Sequence, residues 1–345
     1  MKKHLVVILA AFAALIIIGV GVTIAVKGGG KNKTASDDDY VLIIGQGVEG
    51  SLCQAPFYIA FEQKLFEEEG LNYDIFRMDI GTGMNHLTTG AVDVSVNLMA
   101  TVIQPIANGL DIKIPLAIHT GCVKILTKKT SGIKTVKDLK GKKIGVESMN
   151  SSRRVVPSRV LATEGLKPEG YNSDVEWVIF PASELPLALE RDFVDAIGLG
   201  EPAASIIEAE GNVRVIIDSA SDHYLKDEFC CVVTARSKVV EEHPEAVAKY
   251  LRALQKAAKF VQENPDETAR IITEKKYVPG EVATNAIVLK TFNYKASVSE
   301  ALIALENNIR DLQKIGLVAA DIDADSVIKN TFIAIPGVPD SLYKK

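Results

Sequence analysis

The chain has 345 residues, 47% of them hydrophobic and 24% charged, which is enough to bury one large core or two medium ones. Its net charge of −5 comes without a basic stripe, so nucleic acid is not an expected partner. Aromatic residues make up 6% of the chain and include one Trp, which disfavours a carbohydrate site built on ring stacking.

The N-terminus predicts a membrane anchor. Residues 5–26 carry no charge, and as a helix they would span about 33 Å, enough to cross a bilayer core. Apolar regions of secretory signals are usually shorter and end at a small-residue cleavage site, and no clear site follows Val26. We therefore expect an uncleaved signal-anchor helix over 1–27, with a cleaved signal peptide as the alternative. Lys2 and Lys3 stay cytoplasmic by the positive-inside rule, which places the remaining chain outside the cell membrane.

Residues 28–39 are polar and glycine-rich, and this composition predicts a flexible tether. In the body that follows, apolar runs of strand length alternate with short helical patterns as far as residue 235. This alternation is typical of an α/β fold with mostly parallel sheets, and the later pattern predicts a helical C-terminal tail. The predicted strands are 40–45, 73–78, 92–96, 112–118, 122–127, 143–146, 175–180, 196–199, 213–217 and 230–235. The predicted helices of the tail are 244–263, 266–275, 280–290 and 298–314.

One stretch of the body, residues 133–146, has an unusually clear pattern. A helical turn ends at Gly141, an apolar strand follows at 143–146, and a polar segment at 150–153 then begins a helix. A strand, a polar loop and a helix N-terminus in this order can bind a small anion through backbone N–H groups.

The four cysteines, Cys53, Cys122, Cys230 and Cys231, allow two interpretations. An even number in an exported protein permits disulfides. Buried free thiols that pack as small apolar residues are the alternative. The spacings match no zinc pattern, and no metal site is expected.

Six segments in series resemble those of type II periplasmic solute-binding proteins of ABC transporters. The resemblance is to the branch that binds nitrate, sulfonates, taurine and thiamine precursors. It covers roughly 40–275, beginning with APFYIAFEQKLFEEEGL and including DLKGKKIGV. The matching segments are 53–71, 87–95, 108–114, 138–146, 187–196 and 243–267.

The resemblance implies two α/β lobes joined by two crossover strands, with the ligand between them and closure by a hinge motion. Lobe 1 would comprise 40–119 plus 233–345, and lobe 2 would comprise 120–232. It implies an extracytoplasmic receptor that captures a small, anionic, sulfonate-, nitrate- or taurine-like ligand and delivers it to an ABC permease with its ATPase. We expect a monomer that is not an enzyme and has no catalytic residues and no cofactor.

Loops at the C-terminal ends of the predicted strands should face the cleft, and their polar residues are the candidate ligand contacts. Several have a purely structural alternative: Asn97 and Thr101 could cap a helix, and the Thr82 loop could be a tight turn. His119 could be a structural hydrogen-bonding group. The candidates before lobe 2 are Gln54, Thr82, Asn97, Thr101 and His119.

The remaining candidates are Ser151, Ser152, Arg153 and Glu201. Two hydroxyls and a guanidinium at a helix N-terminus indicate a site for a carboxylate or sulfonate. Glu201 follows a predicted strand and could accept a ligand N–H, or it could simply favour the start of the next helix.

Three other functions share this fold or location. The resemblance also covers a branch that binds pyrimidine thiamine precursors, and one that synthesises a pyrimidine with a cysteine-rich metal motif. Phe229-Cys230-Cys231 matches that motif only faintly. A ligand-sensing ectodomain is disfavoured because only residues 1–4 would lie inside the cell. No catalytic triad order, phosphate loop or metal-spaced His cluster supports a hydrolase or nucleotide-binding function.

Overall fold

The computed structural model describes residues 39–48, 50–78 and 83–343, which belong to one unit, Ala35–Lys345. The predicted anchor at 1–27 and the tether up to residue 38 lie outside these ranges. Within them, no helix combines the length and apolarity that crossing a membrane requires.

Ten strands of the described residues form two five-stranded sheets. Sheet I has the order β2-β1-β3-β10-β4, and sheet II has the order β7-β6-β8-β5-β9. The strands are β1 (Leu42–Gly47), β2 (Tyr73–Met78), β3 (Val94–Leu98), β4 (Ile112–Thr120), β5 (Val123–Lys128), β6 (Lys142–Val146), β7 (Val175–Ile179), β8 (Ala196–Gly200), β9 (Val213–Asp218) and β10 (Phe229–Arg236).

Helices fill the connections between strands and form the C-terminal tail. They are α1 (Ala55–Glu62), α2 (Leu65–Glu68), α3 (Gly83–Thr89), α4 (Met99–Ala107), α5 (Ser152–Thr163), α6 (Leu185–Glu190), α7 (Ala203–Ala209), α8 (Ser237–Glu242), α9 (Pro244–Glu263), α10 (Pro265–Glu274), α11 (Val282–Thr291), α12 (Val298–Lys314) and α13 (Ala324–Thr331). The predicted α/β class and the helical tail are confirmed.

Each sheet contains one strand that runs against its neighbours. In sheet I, β10 is antiparallel to β3 and β4, while β1 is parallel to β2 and β3. In sheet II, β5 is antiparallel to β8 and β9, while β6 is parallel to β7 and β8. The two antiparallel strands, β5 and β10, are each the first strand after the chain passes from one sheet to the other. The four remaining strands of each sheet run in the same direction, as expected.

The chain passes between the sheets twice. The first connection consists of Gly121 and Cys122, between β4 and β5, and both residues have positive φ, +84° and +107°. A Cβ on Gly121 would lie 2.7 Å from Cδ1 of Phe292, so this sharp reversal requires glycine. The return connection is 219–228. Sheet I thus includes Thr120 and residues 229–232, which the predicted lobe boundaries had assigned to lobe 2.

The pattern at 133–146 folds as predicted. A helical turn at Val136–Leu139 is followed by Gly141 with φ +74°, and β6 comes next. Ile144 and Val146 are fully buried, because β6 lies between β7 and β8. The strand then delivers the chain to the N-terminus of α5.

Candidate functional site

The N-terminus of α5 carries two serine hydroxyls without partners. Ser151 is the N-cap residue, yet its side chain makes no capping hydrogen bond. Ser152 is fully buried, and neither Oγ atom has a hydrogen-bond partner in the described part of the chain. A buried hydroxyl without a partner costs free energy, and a helix N-terminus has unpaired N–H groups and a partial positive charge. This end of α5 can therefore donate several hydrogen bonds to an anion.

The two arginines that follow are already paired. Arg153 Nη1 donates to Glu147 Oε1 at 2.8 Å. Arg154 forms an ion pair with Glu169, which accepts a second hydrogen bond from Ser158. Positive charge for an anion at this position consequently comes from the helix N-terminus rather than from a free guanidinium.

The loop after β1 meets the end of β8. The hydroxyl of Ser51 and the backbone N–H of Leu52 both donate to the carbonyl oxygen of Glu201, each at 3.3 Å. Gln54 is buried in the short helical turn that follows, and its Oε1 has no partner among the described residues. The loop and the strand end thereby bring the two sheets into direct contact.

The carboxylate of Glu201 is fully engaged at the start of α7. It accepts hydrogen bonds from the backbone N–H of Ser205 at 3.0 Å and from its hydroxyl at 2.8 Å, and it pairs with Lys124 at 3.0 Å. Burial alone would lower the pKa of Lys124, but Glu201 and two further carboxylates raise it. These are the contacts expected if Glu201 favours the start of the following helix rather than binding a ligand.

Asn97 and Thr101 satisfy their donors inside the protein. Asn97 Nδ2 donates to the hydroxyl oxygens of Ser95 and Thr234, both at 2.7 Å, and this links β3 to β10. Thr101 donates to the carbonyl of Leu98 at 2.8 Å, within the first turn of α4. Thr82, the remaining candidate from this part of sheet I, lies outside the described residues.

His119 is fully buried near the first connection. Its ring stacks on Phe292, with centroids 5.2 Å apart, and Nδ1 lies 2.9 Å from the carbonyl oxygen of Thr120. Since a carbonyl can only accept, Nδ1 is the donor. Nε2 has no partner in the described chain.

All four cysteines gather beside His119, a grouping that the sequence analysis missed. The Sγ atoms of Cys53, Cys122 and Cys231 lie within 4.8 Å of one another, as do the ligand atoms of His119, Cys230 and Cys231. Register irregularities in β10 around these residues interrupt its regular pairing with β4. Sulfur and imidazole nitrogen are ligands that thiophilic metal ions accept. The Cys230-Cys231 pair was the available sequence signal, but nothing in the spacing links it to residues 53 and 122.

Contacts place most of the candidates in one region. A Cβ on Gly200 would lie 2.7 Å from Arg153 Nη2, so the start of α5 sits against the end of β8, next to Glu201. Glu201 in turn holds the loop that carries Gln54, and Cys53 of that loop reaches the cysteine cluster. Asn97 is in the strand beside β10, where it pairs with Val232.

A small cavity also lies where the sheets meet, at the start of α4 and along α5. Its lining includes Met99, Val156, Arg159 and Cys230. The volume is about 20 Å³, which holds about one water molecule. The two sides are therefore closed on each other at this point, and a larger ligand would need them to separate.

A buried ionic network joins the helices of the two sheets. Arg159 of α5 donates to Asp311 of α12 at 2.8 Å and to Glu228 at 2.5 and 2.9 Å. Asn308 accepts from the same guanidinium at 3.2 Å, and the hydroxyl of Tyr224 donates to Asp311. Burial alone would lower the pKa of Arg159, but Glu228 and Asp311 raise it, so the guanidinium stays charged.

Comparisons with known proteins agree with this architecture. A Bacillus subtilis (strain 168) protein, provisionally named an aliphatic sulfonates-binding protein, is 28% identical over 327 residues, which cover 92% of this chain and 95% of that protein. A 4-amino-5-hydroxymethyl-2-methylpyrimidine phosphate synthase of Saccharomyces cerevisiae is 25% identical over 61% of this chain and 64% of its own length.

Among solved structures, the periplasmic aliphatic sulphonate binding protein SsuA from Escherichia coli superposes with a TM-score of 0.69. Its identity is 18%, and the match covers 88% of this chain and 96% of that one, so the two share a fold. The sequence profile of the NMT1/THI5-like family matches residues 53–268, more than half of the chain. The chain therefore belongs to the NMT1/THI5-like family.

Proposed function

We propose that this protein is the extracytoplasmic solute-binding receptor of an ABC importer and that it is a binding protein rather than an enzyme. The chain would bind a small anionic ligand between the two sheets and deliver it to the permease by hinge closure. The family, the fold and the sulfonate-binding names of the compared proteins support this proposal.

The observation that carries the ligand class is the pair of unpartnered hydroxyls, Ser151 and Ser152, at the N-terminus of α5. These groups and the helix N–H groups are donors, and a sulfonate offers three oxygens that accept. A ligand there would satisfy polar groups that are otherwise buried without partners.

The contacts of the Glu201 carboxylate restrict the chemical class of the ligand further. Lys124 and Ser205 already satisfy it, so the site offers no free carboxylate from Glu201 to a ligand ammonium group. Gln54 Oε1 remains as an acceptor for one ligand N–H or O–H group. We therefore expect a simple alkanesulfonate to bind more tightly than taurine.

Isothermal titration of the full chain in mild detergent tests this ligand class. The ligands are ethanesulfonate, taurine, nitrate and an aminopyrimidine. The expected result is binding of ethanesulfonate and at least a fivefold weaker affinity for taurine. Heat only with the aminopyrimidine would replace the sulfonate proposal by the pyrimidine one, and no heat with any of the four would reject this group of ligands.

A variant pair tests the site itself. Ser152→Ala should weaken ethanesulfonate binding about tenfold, because a hydrogen bond to a charged group contributes about 1.5 kcal/mol. Thr163→Ala, at the other end of α5, removes a hydroxyl whose one hydrogen bond among the described residues is to Val160 O, and it should leave the affinity unchanged. Equal effects of the two substitutions would place the anion elsewhere.

A further inference from the structure

Two cysteines face each other where the chain passes between the sheets. Cys122 is in the first connection, and Cys230 is the second residue of β10, the strand that follows the return connection. Their Sγ atoms are 3.2 Å apart, although the two residues are 108 positions apart in the sequence. The fold therefore brings the two sulfurs into contact.

The surroundings give the two thiols different reactivity. Cys230 is half-buried, while Cys53, Cys122 and Cys231 are buried. Burial alone would raise the pKa of Cys230, but its side-chain contacts with Cys122 and Cys231 lower it to about 7. The pKa of Cys122 is raised, chiefly by its hydrogen bond to Cys230. Because the thiolate is the attacking species, Cys230 is the nucleophile and Cys122 the second thiol.

We propose that Cys122 and Cys230 are a redox-active pair that forms a disulfide between the first connection and the start of β10 when it meets a small organic disulfide. The Cys230 thiolate attacks one sulfur of the organic disulfide, whose S–S bond breaks and releases one thiolate. Cys122 then loses its proton and attacks Cys230 Sγ, which forms the intrachain bond and expels the second thiolate. The two cysteines lose two electrons and two protons, and the organic disulfide is reduced to two thiols.

The spacing favours this bond over other uses of the cluster. Four sulfurs around a tetrahedral zinc ion lie about 3.8 Å from one another, since each Zn–S bond is about 2.3 Å. The Cys122–Cys230 separation of 3.2 Å is shorter than such an edge. Cys230 and Cys231 are 3.8 Å apart, and as adjacent residues of one strand they would close a strained ring. The disulfide would covalently tie the first connection to the start of β10, and this inference does not depend on the identity of the ligand.

The test is thiol counting on the full chain after incubation with oxidised glutathione at pH 7.5. In denaturant, the oxidised protein should show two reactive thiols in place of four, and peptide mapping should find residues 122 and 230 linked. Cys230→Ser should retain its three thiols. Cys122→Ser should accumulate a glutathione adduct on Cys230. Cys53→Ser, the matched control from the same cluster, should still lose two thiols.

Three results would overturn the proposal. The first is four thiols that persist after oxidation of the folded protein. The second is a Cys230–Cys231 linkage in the peptide map. The third is a stoichiometric metal ion that protects all four thiols until a chelator removes it.

Discussion

Gly121 shows how one residue determines the path between the sheets. Its φ of +84° lies in the region that L-residues rarely adopt, and a Cβ there would meet Phe292 and the side chain of Ala220 at 2.7 and 3.0 Å. Phe292 also stacks on His119, so the glycine lets an aromatic ring from the C-terminal tail pack against the hinge.

Gly211 offers a matched test, because it has the same φ of +84° and a Cβ added there would have no heavy atom within 4 Å. Gly211→Ala should cost about 1 kcal/mol of unfolding free energy, from backbone strain alone. Gly121→Ala should cost about 2 kcal/mol more, because the methyl group also overlaps Phe292. Urea unfolding of both variants measures the difference, and equal losses would contradict the steric explanation.

At the scale of elements, the N-termini of α12 and α5 differ in how a serine side chain caps the helix. The N-cap Ser297 accepts from Glu300 N at 3.2 Å, as such residues normally do. Ser151 occupies the same position on α5 without this bond. The contrast marks the start of α5 as a helix end whose N-cap side chain makes no capping hydrogen bond.

Removal of the cap of α12 should destabilise the protein. Ser297→Ala loses the bond to Glu300 N and the contact with Asp340 Oδ1, and should cost about 1 kcal/mol. Ser297→Thr retains a hydroxyl and should recover most of that loss. Thermal unfolding of the two variants gives the comparison, and a threonine variant as unstable as the alanine one would show that the hydroxyl is not what matters.

At the scale of the whole molecule, the Arg159 network connects α5, which packs on sheet II, with α12, which packs on sheet I. The loss of one partner leaves a buried charge less well paired, which is costly. The network therefore stabilises the closed arrangement of the two sheets.

Asp311→Asn should lower the unfolding free energy by about 2 kcal/mol at pH 7. The control is Asp325→Asn, which breaks the exposed pair with Arg310 and should change it by less than about 1 kcal/mol. Similar losses of unfolding free energy in the two variants would show that burial of the network adds nothing to stability.

The effect of Asp311 should also depend on pH. Burial by itself would raise the pKa of this carboxyl, but the hydrogen bond from Tyr224 and the charge of Arg159 lower it below its usual value. A carboxyl with a depressed pKa in the folded state stabilises the protein above about pH 4, and this contribution is lost as the pH falls further. The stability difference between wild type and Asp311→Asn should shrink below pH 4, as thermal unfolding across pH 2.5–7 would reveal. A difference that grows toward low pH would contradict this sign.

The sequence alone determined the α/β class, the helical tail, the turn that ends at Gly141 and the start of α5 near Ser152. These features depend on residues close together in the chain: apolar periodicity, glycine at positive φ and polar residues at helix starts. It also identified the family, because the matching segments keep their order.

Only the tertiary structure decided which candidate side chains are already paired with other groups of the protein. It paired Arg153 with Glu147, engaged Glu201 with Lys124, and brought Cys53, Cys122, Cys230 and Cys231 together. Most of these contacts join residues that are many positions apart and depend on which strands are neighbours, and a single sequence carries little information about that. Charge pairing and burial, which decide whether a polar group is free for a ligand, therefore became visible only in the folded chain.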